Sequence, residues 1–205
     1  EGLKNQIAKM QSEVRQAQTD SAENKRLREL LNLQEQRRDL QDMVSATVTE
    51  QSASNWTSTL TLNQGFDGGV KEGDCVITES GYLVGVVDKA GANWCTVLTV
   101  LDTDTSLGAK VFRSGELGIA SGDFNLMHQG RLKLSYLPTD CRLLNGDLIV
   151  TSGRGGFYPS GLVLGTVEEV KLDDSGATSY AVLAPSADIS ELTEVFVVRS
   201  FTIVD

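Results

Sequence analysis

The chain has 205 residues, 40% hydrophobic and 22% charged, with a formal net charge of −10 and a pI near 4.6. That acidity argues against a nucleic-acid or anionic-lipid surface, both of which call for a basic field. No apolar run reaches the about 18 residues a membrane span needs, so the chain reads as soluble and, starting at Glu1 with no methionine or signal block, as a processed or truncated piece.

From Glu1 to Asp42 there is no proline and one glycine, and Leu3, Ile7, Met10, Val14 and Ala17 follow the four-three spacing of a heptad seam. Ser21 and Asn24 interrupt the stripe, and Leu27, Leu30 and Leu31 resume it. The pattern predicts a helix over residues 1–43 that forms a coiled coil with a partner chain through the seam Leu3, Ile7, Met10, Val14, Ala17, Leu27 and Leu31, the alternative being a helix folded onto its own domain.

At Met43 the period changes to two: Val44, Ala46 and Val48 alternate with Ser45, Thr47 and Thr49. Strand-like runs follow at 59–62, 75–78, 83–87, 96–101, 132–136, 148–151, 163–167 and 195–198, separated by glycine and polar turns. With no long helical stretch between them, a parallel βαβ sheet is disfavoured. The expected fold is mainly β with one long N-terminal α-helix: a coiled coil followed by two small antiparallel β-barrel-like domains. The boundaries are 44–107 for the first β domain, which the C-terminal strand 195–205 could complete, and 108–194 for the second.

One unit recurs. Gly73-Asp74-Cys75-Val76-Ile77-Thr78 matches Gly146-Asp147-Leu148-Ile149-Val150-Thr151, and Val84-Gly85-Val86-Val87 matches Leu164-Gly165-Thr166-Val167, with seven more residues between the halves of the second copy. Thr151, Ser152, Gly153, Gly155, Gly156, Phe157, Tyr158, Pro159, Gly161 and Gly165 make up this longer glycine and turn motif, a candidate contact loop weighed against plain barrel closure.

Catalytic patterns fail in turn. Gly156 to Gly161 has a P-loop gap but continues into Leu162 instead of Lys-Ser/Thr, and Gly153-Arg154-Gly155 lacks the rest of a dinucleotide fingerprint. His128 is the one histidine, on an expected hairpin tip, which leaves a Ser-His-Asp triad little to work with. Val100-Leu101-Asp102-Thr103 has the apolar-apolar-Asp-Thr order of an aspartic protease, although Asp104 stands where such loops have glycine. Cys75, Cys95 and Cys141 have neither C-x-x-C spacing nor a histidine partner; they read as small buried hydrophobes, with one disulfide as the alternative. No catalytic residue, cofactor site or metal site is expected.

A family resemblance rests on an ordered set of residues. Glu23-Asn24-Lys25-Arg26-Leu27-Arg28-Glu29-Leu30-Leu31-Asn32-Leu33 is followed by Asn63-Gln64-Gly65, Gly69-Val70, Gly73-Asp74, Gly81-Tyr82-Leu83-Val84-Gly85 and Tyr136-Leu137-Pro138. Then come Gly146-Asp147, Thr151-Ser152-Gly153, Pro159-Ser160-Gly161, Gly165 and Pro185-Ser186-Ala187-Asp188. Over nearly its whole length the chain resembles the bacterial rod shape-determining protein MreC family.

The resemblance implies a non-enzymatic scaffold of the elongation machinery that maintains rod shape. It implies self-association as a homodimer or larger assembly, and contact with a class B penicillin-binding transpeptidase and elongation-complex membrane proteins during peptidoglycan synthesis. The implied place is the extracytoplasmic side of the bacterial cell membrane, with a single-pass anchor in the full-length protein. The rival readings are a retropepsin-like aspartyl hydrolase using Asp102 and an envelope adaptor or adhesin unrelated to wall synthesis.

Overall fold

The structure, a computed structural model, describes residues 10, 14–16, 37, 40–54, 57–137, 143–155, 158–172 and 179–201. The chain divides into two compact units, Glu1–Arg38 and Asp39–Asp205. In the first, Met10 and the stretch from Val14 to Gln16 are helical, and the Met10 and Val14 side chains are exposed. Leu3, Ile7, Ala17, Leu27 and Leu31 lie outside the described residues.

The expected long helix and coiled coil require correction. Strand β1 (Leu40–Ala53) begins inside the segment assigned to the helix, and the longest helix among the described residues is α1 (Phe124–Met127), of four residues. Leu40 is buried opposite Phe201, and Met43 and Val44 lie opposite Val198 and Val197. Pairing along a buried strand outweighs the helix propensity of Leu40 and Met43, because propensity is worth only about 1 kcal/mol per residue.

The second unit consists of two closed antiparallel barrels. The first joins β1, β12 (Glu194–Phe201), β3 (Cys75–Ile77), β4 (Leu83–Ala90), β5 (Cys95–Thr99) and β2 (Ser58–Leu62), in that order round the wall. The chain's last described strand thus sits between its first and third. The other barrel runs β10 (Val163–Leu172), β11 (Ser179–Pro185), β8 (Leu132–Ser135), β7 (Leu117–Ser121), β6 (Ser106–Val111) and β9 (Leu148–Thr151). Closure leaves no full-length open edge, the usual hazard of a small β protein.

Alternation fills each interior. Leu132 and Leu134 are buried while Lys133 points outward, and Leu60 and Leu62 are buried about the half-buried Thr61. In β3, however, Cys75, Val76 and Ile77 are all fully buried, as are Val195, Val197 and nearly Phe196 in β12. A barrel strand buried on both faces has something packed on its outside. The two barrels meet where Tyr82, just before β4, forms a parallel bridge with Val163 at the start of β10.

Candidate functional site

The recurring sequence unit is a recurring piece of backbone. Gly73 at φ 89° and Gly146 at φ 87° open the two copies in the left-handed region that glycine tolerates best. Gly73 N–H donates to the Val87 carbonyl and Val87 N–H to the Asp74 carbonyl; Gly146, Val167 and Asp147 repeat both bonds. Asp74 Oδ2 accepts the Lys71 N–H at 2.8 Å, and Asp147 Oδ2 accepts the Leu144 N–H at 2.9 Å. Farther on, the Thr78 and Thr151 hydroxyls accept the N–H of Tyr82 (3.1 Å) and of Leu162 (2.9 Å). Gly85 and Gly165 lie so close to the Leu98 and Ala184 carbonyls that a Cβ has no room.

The copies diverge between Thr151 and Gly161. Ser152 N–H donates to the Gly108 carbonyl, Gly153 (φ 75°) packs on Ser160, and the Thr151 hydroxyl donates to the carbonyl of the buried Pro159. Gly155 has φ 94°, and Gly156 and Phe157 lie outside the described residues. Tyr158 is half-buried, and its phenol is pushed up to about 12, chiefly by burial and then by the nearby Cys75 thiol of β3. The added residues thus place a half-buried aromatic ring within electrostatic reach of a β3 thiol.

Sequence gave no sign of three ion pairs. Arg113 meets Asp147 through two nitrogens at 2.8 Å, Arg131 meets Glu168 through Nε and, at 2.9 Å, through Nη2, and Arg199 meets Asp42 through Nη2 while its Nη1 reaches the Gly68 carbonyl at 2.6 Å. The Arg113 guanidinium holds the Asp147 carboxyl below the usual range, against a smaller opposing effect of burial. At Asp74 burial dominates and raises the carboxyl, with the Lys71 N–H opposing it. These partners are 34, 37 and 157 residues apart, beyond the reach of any local pattern.

Asp102 is fully buried in the link between the barrels. Its Oδ2 accepts the Ser58 N–H at 2.7 Å and its Oδ1 the Asp104 N–H at 2.9 Å. The Thr105 hydroxyl donates to the Thr99 carbonyl at 2.8 Å, and Thr99 donates to the Ser58 hydroxyl at 2.7 Å. A carboxylate sealed from solvent and occupied by backbone donors cannot meet a peptide substrate, which removes the aspartyl-hydrolase reading. His128 is exposed and stacks edge-on with Phe124 at 5.6 Å. Cys75 and Cys95 are buried thiols, Cys95 pushed up to about 11 by burial and by Asp74, and Cys141 lies outside the described residues. Among the described residues there is no metal-binding cluster, and no helix is long and apolar enough to cross a membrane.

Residues 48–199 match the family described as rod shape-determining protein MreC, barrel core. The chain belongs to the MreC family. The cell shape-determining protein MreC of Listeria monocytogenes is 35% identical over 200 residues, 95% of this chain and 64% of that protein. MreC of Bacillus subtilis is 33% identical over 86% of this chain and 63% of its own length. The chain thus spans less than two thirds of the length of either relative.

Solved MreC structures share the fold. The crystal structure of MreC from Pseudomonas aeruginosa superposes with a TM-score of 0.70 at 28% identity, over 77% of this chain and 99% of that one. The major periplasmic domain of the cell shape-determining filament MreC gives 0.64 at 25% identity, over 76% and 94%. MreC in its complex with penicillin-binding protein PBP2 from Helicobacter pylori gives 0.58 at 16% identity, over 78% and 100%, a likeness of fold alone. The two barrels thus match the part of the family solved as a major periplasmic domain.

Proposed function

We propose that this chain is the extracytoplasmic scaffold region of a cell-elongation complex, which self-associates and holds a class B penicillin-binding transpeptidase in place during lateral wall synthesis. The observation that carries the reading is the pair of closed barrels, which matches nearly the whole of the Pseudomonas aeruginosa MreC structure. Its chemistry is consistent with a scaffold: the best-positioned polar side chains, Asp102, Asp147 and Thr151, are spent on backbone turns and one ion pair instead of facing a cleft. Support for the partner comes from the Helicobacter pylori protein, solved together with PBP2, and support for self-association from the relative named a filament. The full-length protein is held at the outer face of the cell membrane by a single-pass anchor and contacts further membrane proteins of the same complex.

The test is affinity capture from membranes with the full-length tagged protein, followed by reconstitution from purified components. Recovery of the transpeptidase and binding to it in purified form are expected. Recovery of other envelope components without it would support the adaptor or adhesin reading instead.

A further inference from the structure

Among the described residues, the end of β1 in the first barrel is paired on one side only. β1 is longer than its neighbour β12: their pairing ends at Thr47 with Glu194, and the Val48 N–H takes the Thr193 carbonyl as the chain of β12 turns away. Beyond that point β1 pairs with β2 alone, Gln51 opposite Leu60 and Ala53 opposite Ser58. Ser58 sends its own N–H to Asp102, which marks Ala53 and Ser58 as a pair that does not exchange backbone bonds. By the alternation of an antiparallel ladder, the N–H and C=O groups of Ala53 and of Gln51 then point outward, away from β2.

A groove runs along this edge. Two adjoining cavities of about 380 Å³ each share Gln51 and Ser190. The segment facing β1 is tethered to it by a side chain: Gln51 Nε2 donates to the Ile189 and Leu192 carbonyls at 3.1 and 3.3 Å. One end is floored by the buried apolar side chains of Leu101, Met127 and Ile189. The other is rimmed by the exposed carboxylates Glu50 and Glu191, and neither cavity is lined by a lysine or arginine among the described residues.

We propose that the β1 edge from Val48 to Ala53 is a docking site for an extended, basic peptide segment of a partner protein, which adds to the first barrel as an extra strand. Outward backbone groups supply the ladder, the apolar floor takes one side chain, and the acidic rim takes a lysine or arginine. A second copy of this chain is the poorer occupant. Antiparallel self-pairing centred near Glu50 would bring two Glu50 carboxylates together on a chain of net charge −10, a like-charge cross-strand pair that a basic peptide avoids. The site does not depend on the identity of the transpeptidase, so it can fail while the scaffold reading stands, and the reverse.

The probe is a displayed library of random octapeptides selected on the full chain. Selected peptides should be rich in lysine and arginine and poor in proline, should shift the amide resonances of Gln51 and Ala53, and should lose binding when their backbone is N-methylated. The double variant Glu50→Lys, Glu191→Lys changes two exposed side chains and should bind them about tenfold more weakly. Selection of no peptide, of peptides indifferent to the double variant, or of peptides whose shifts map elsewhere would overturn the proposal. So would a change in sedimenting mass in the double variant, which would assign the edge to a second copy.

Discussion

Asp74 and Asp147 occupy the same position in two equivalent turns, each accepting the N–H three residues back, yet their surroundings drive their carboxyls in opposite directions. Arg113 lowers Asp147, while burial raises Asp74. A lowered folded value means that Asp147 contributes stability above its unfolded value of about 3.9 and loses it as pH falls through the folded one. A raised value means that Asp74 detracts increasingly as pH rises through the carboxylate range. Relative to the parent, Arg113→Ala should therefore lose stability with rising pH and Asp74→Asn should gain it. Urea midpoints between about pH 3 and 7 will read both slopes. The Arg113 effect should be about 1 kcal/mol at neutral pH, since that guanidinium is half exposed. Parallel slopes would mean that the two turns are not differently charged after all.

Asp102 ties the start of β2 to the crossing between barrels through the Ser58 and Asp104 N–H groups. Asp102→Ala leaves the Ser58 donor buried without its acceptor and should cost about 2–4 kcal/mol in urea unfolding. Asp102→Asn retains one acceptor oxygen and should fall between the two. A variant as stable as the parent would show that this carboxylate does not hold the turn.

The two kinds of repeat glycine make separable demands. Gly165→Ala would drive a Cβ onto the Ala184 carbonyl oxygen, an overpacking against backbone that should cost about 3 kcal/mol. Gly146→Ala meets open space and suffers only from its φ of 87°, for about 1–2 kcal/mol. Thermal unfolding of both variants will show whether close approach outweighs backbone strain in that order.

Legibility followed local pattern. Leu132 and Leu134 against Lys133 announced β8, and Val44 and Ala46 announced the body of β1, because one buried face imposes alternation. Strands β6, β7 and β11 escaped the reading. The first two are diluted by Gly108 and Gly118, and β11 is built on small alanines and ends at Pro185, so the usual β-branched signal is weak. The helix was extended too far because Leu40 and Met43 suit either period, and only the distant β12 decides between them. The groove on β1 was invisible for a related reason: it exists because β12 departs at Glu194, a fact about pairing across some 150 residues of chain.

Tyr158 explains what the longer copy of the repeat adds. Its ring comes from the seven-residue extension and reaches the neighbourhood of Cys75, on a strand buried on both faces. If the ring is part of the cover over β3, Tyr158→Ser should expose the Cys75 thiol to a maleimide while Cys95 stays protected by burial within the first barrel. The expected loss of stability is about 2 kcal/mol, less than for a fully buried aromatic because Tyr158 is half-buried. Tyr158→Phe keeps the ring and should keep Cys75 protected, while removing the phenol that ionises near pH 12 from an ultraviolet titration. Equal labelling of Cys75 in the Ser and parent proteins, both folded by circular dichroism, would instead make the extension a closure of the second barrel alone.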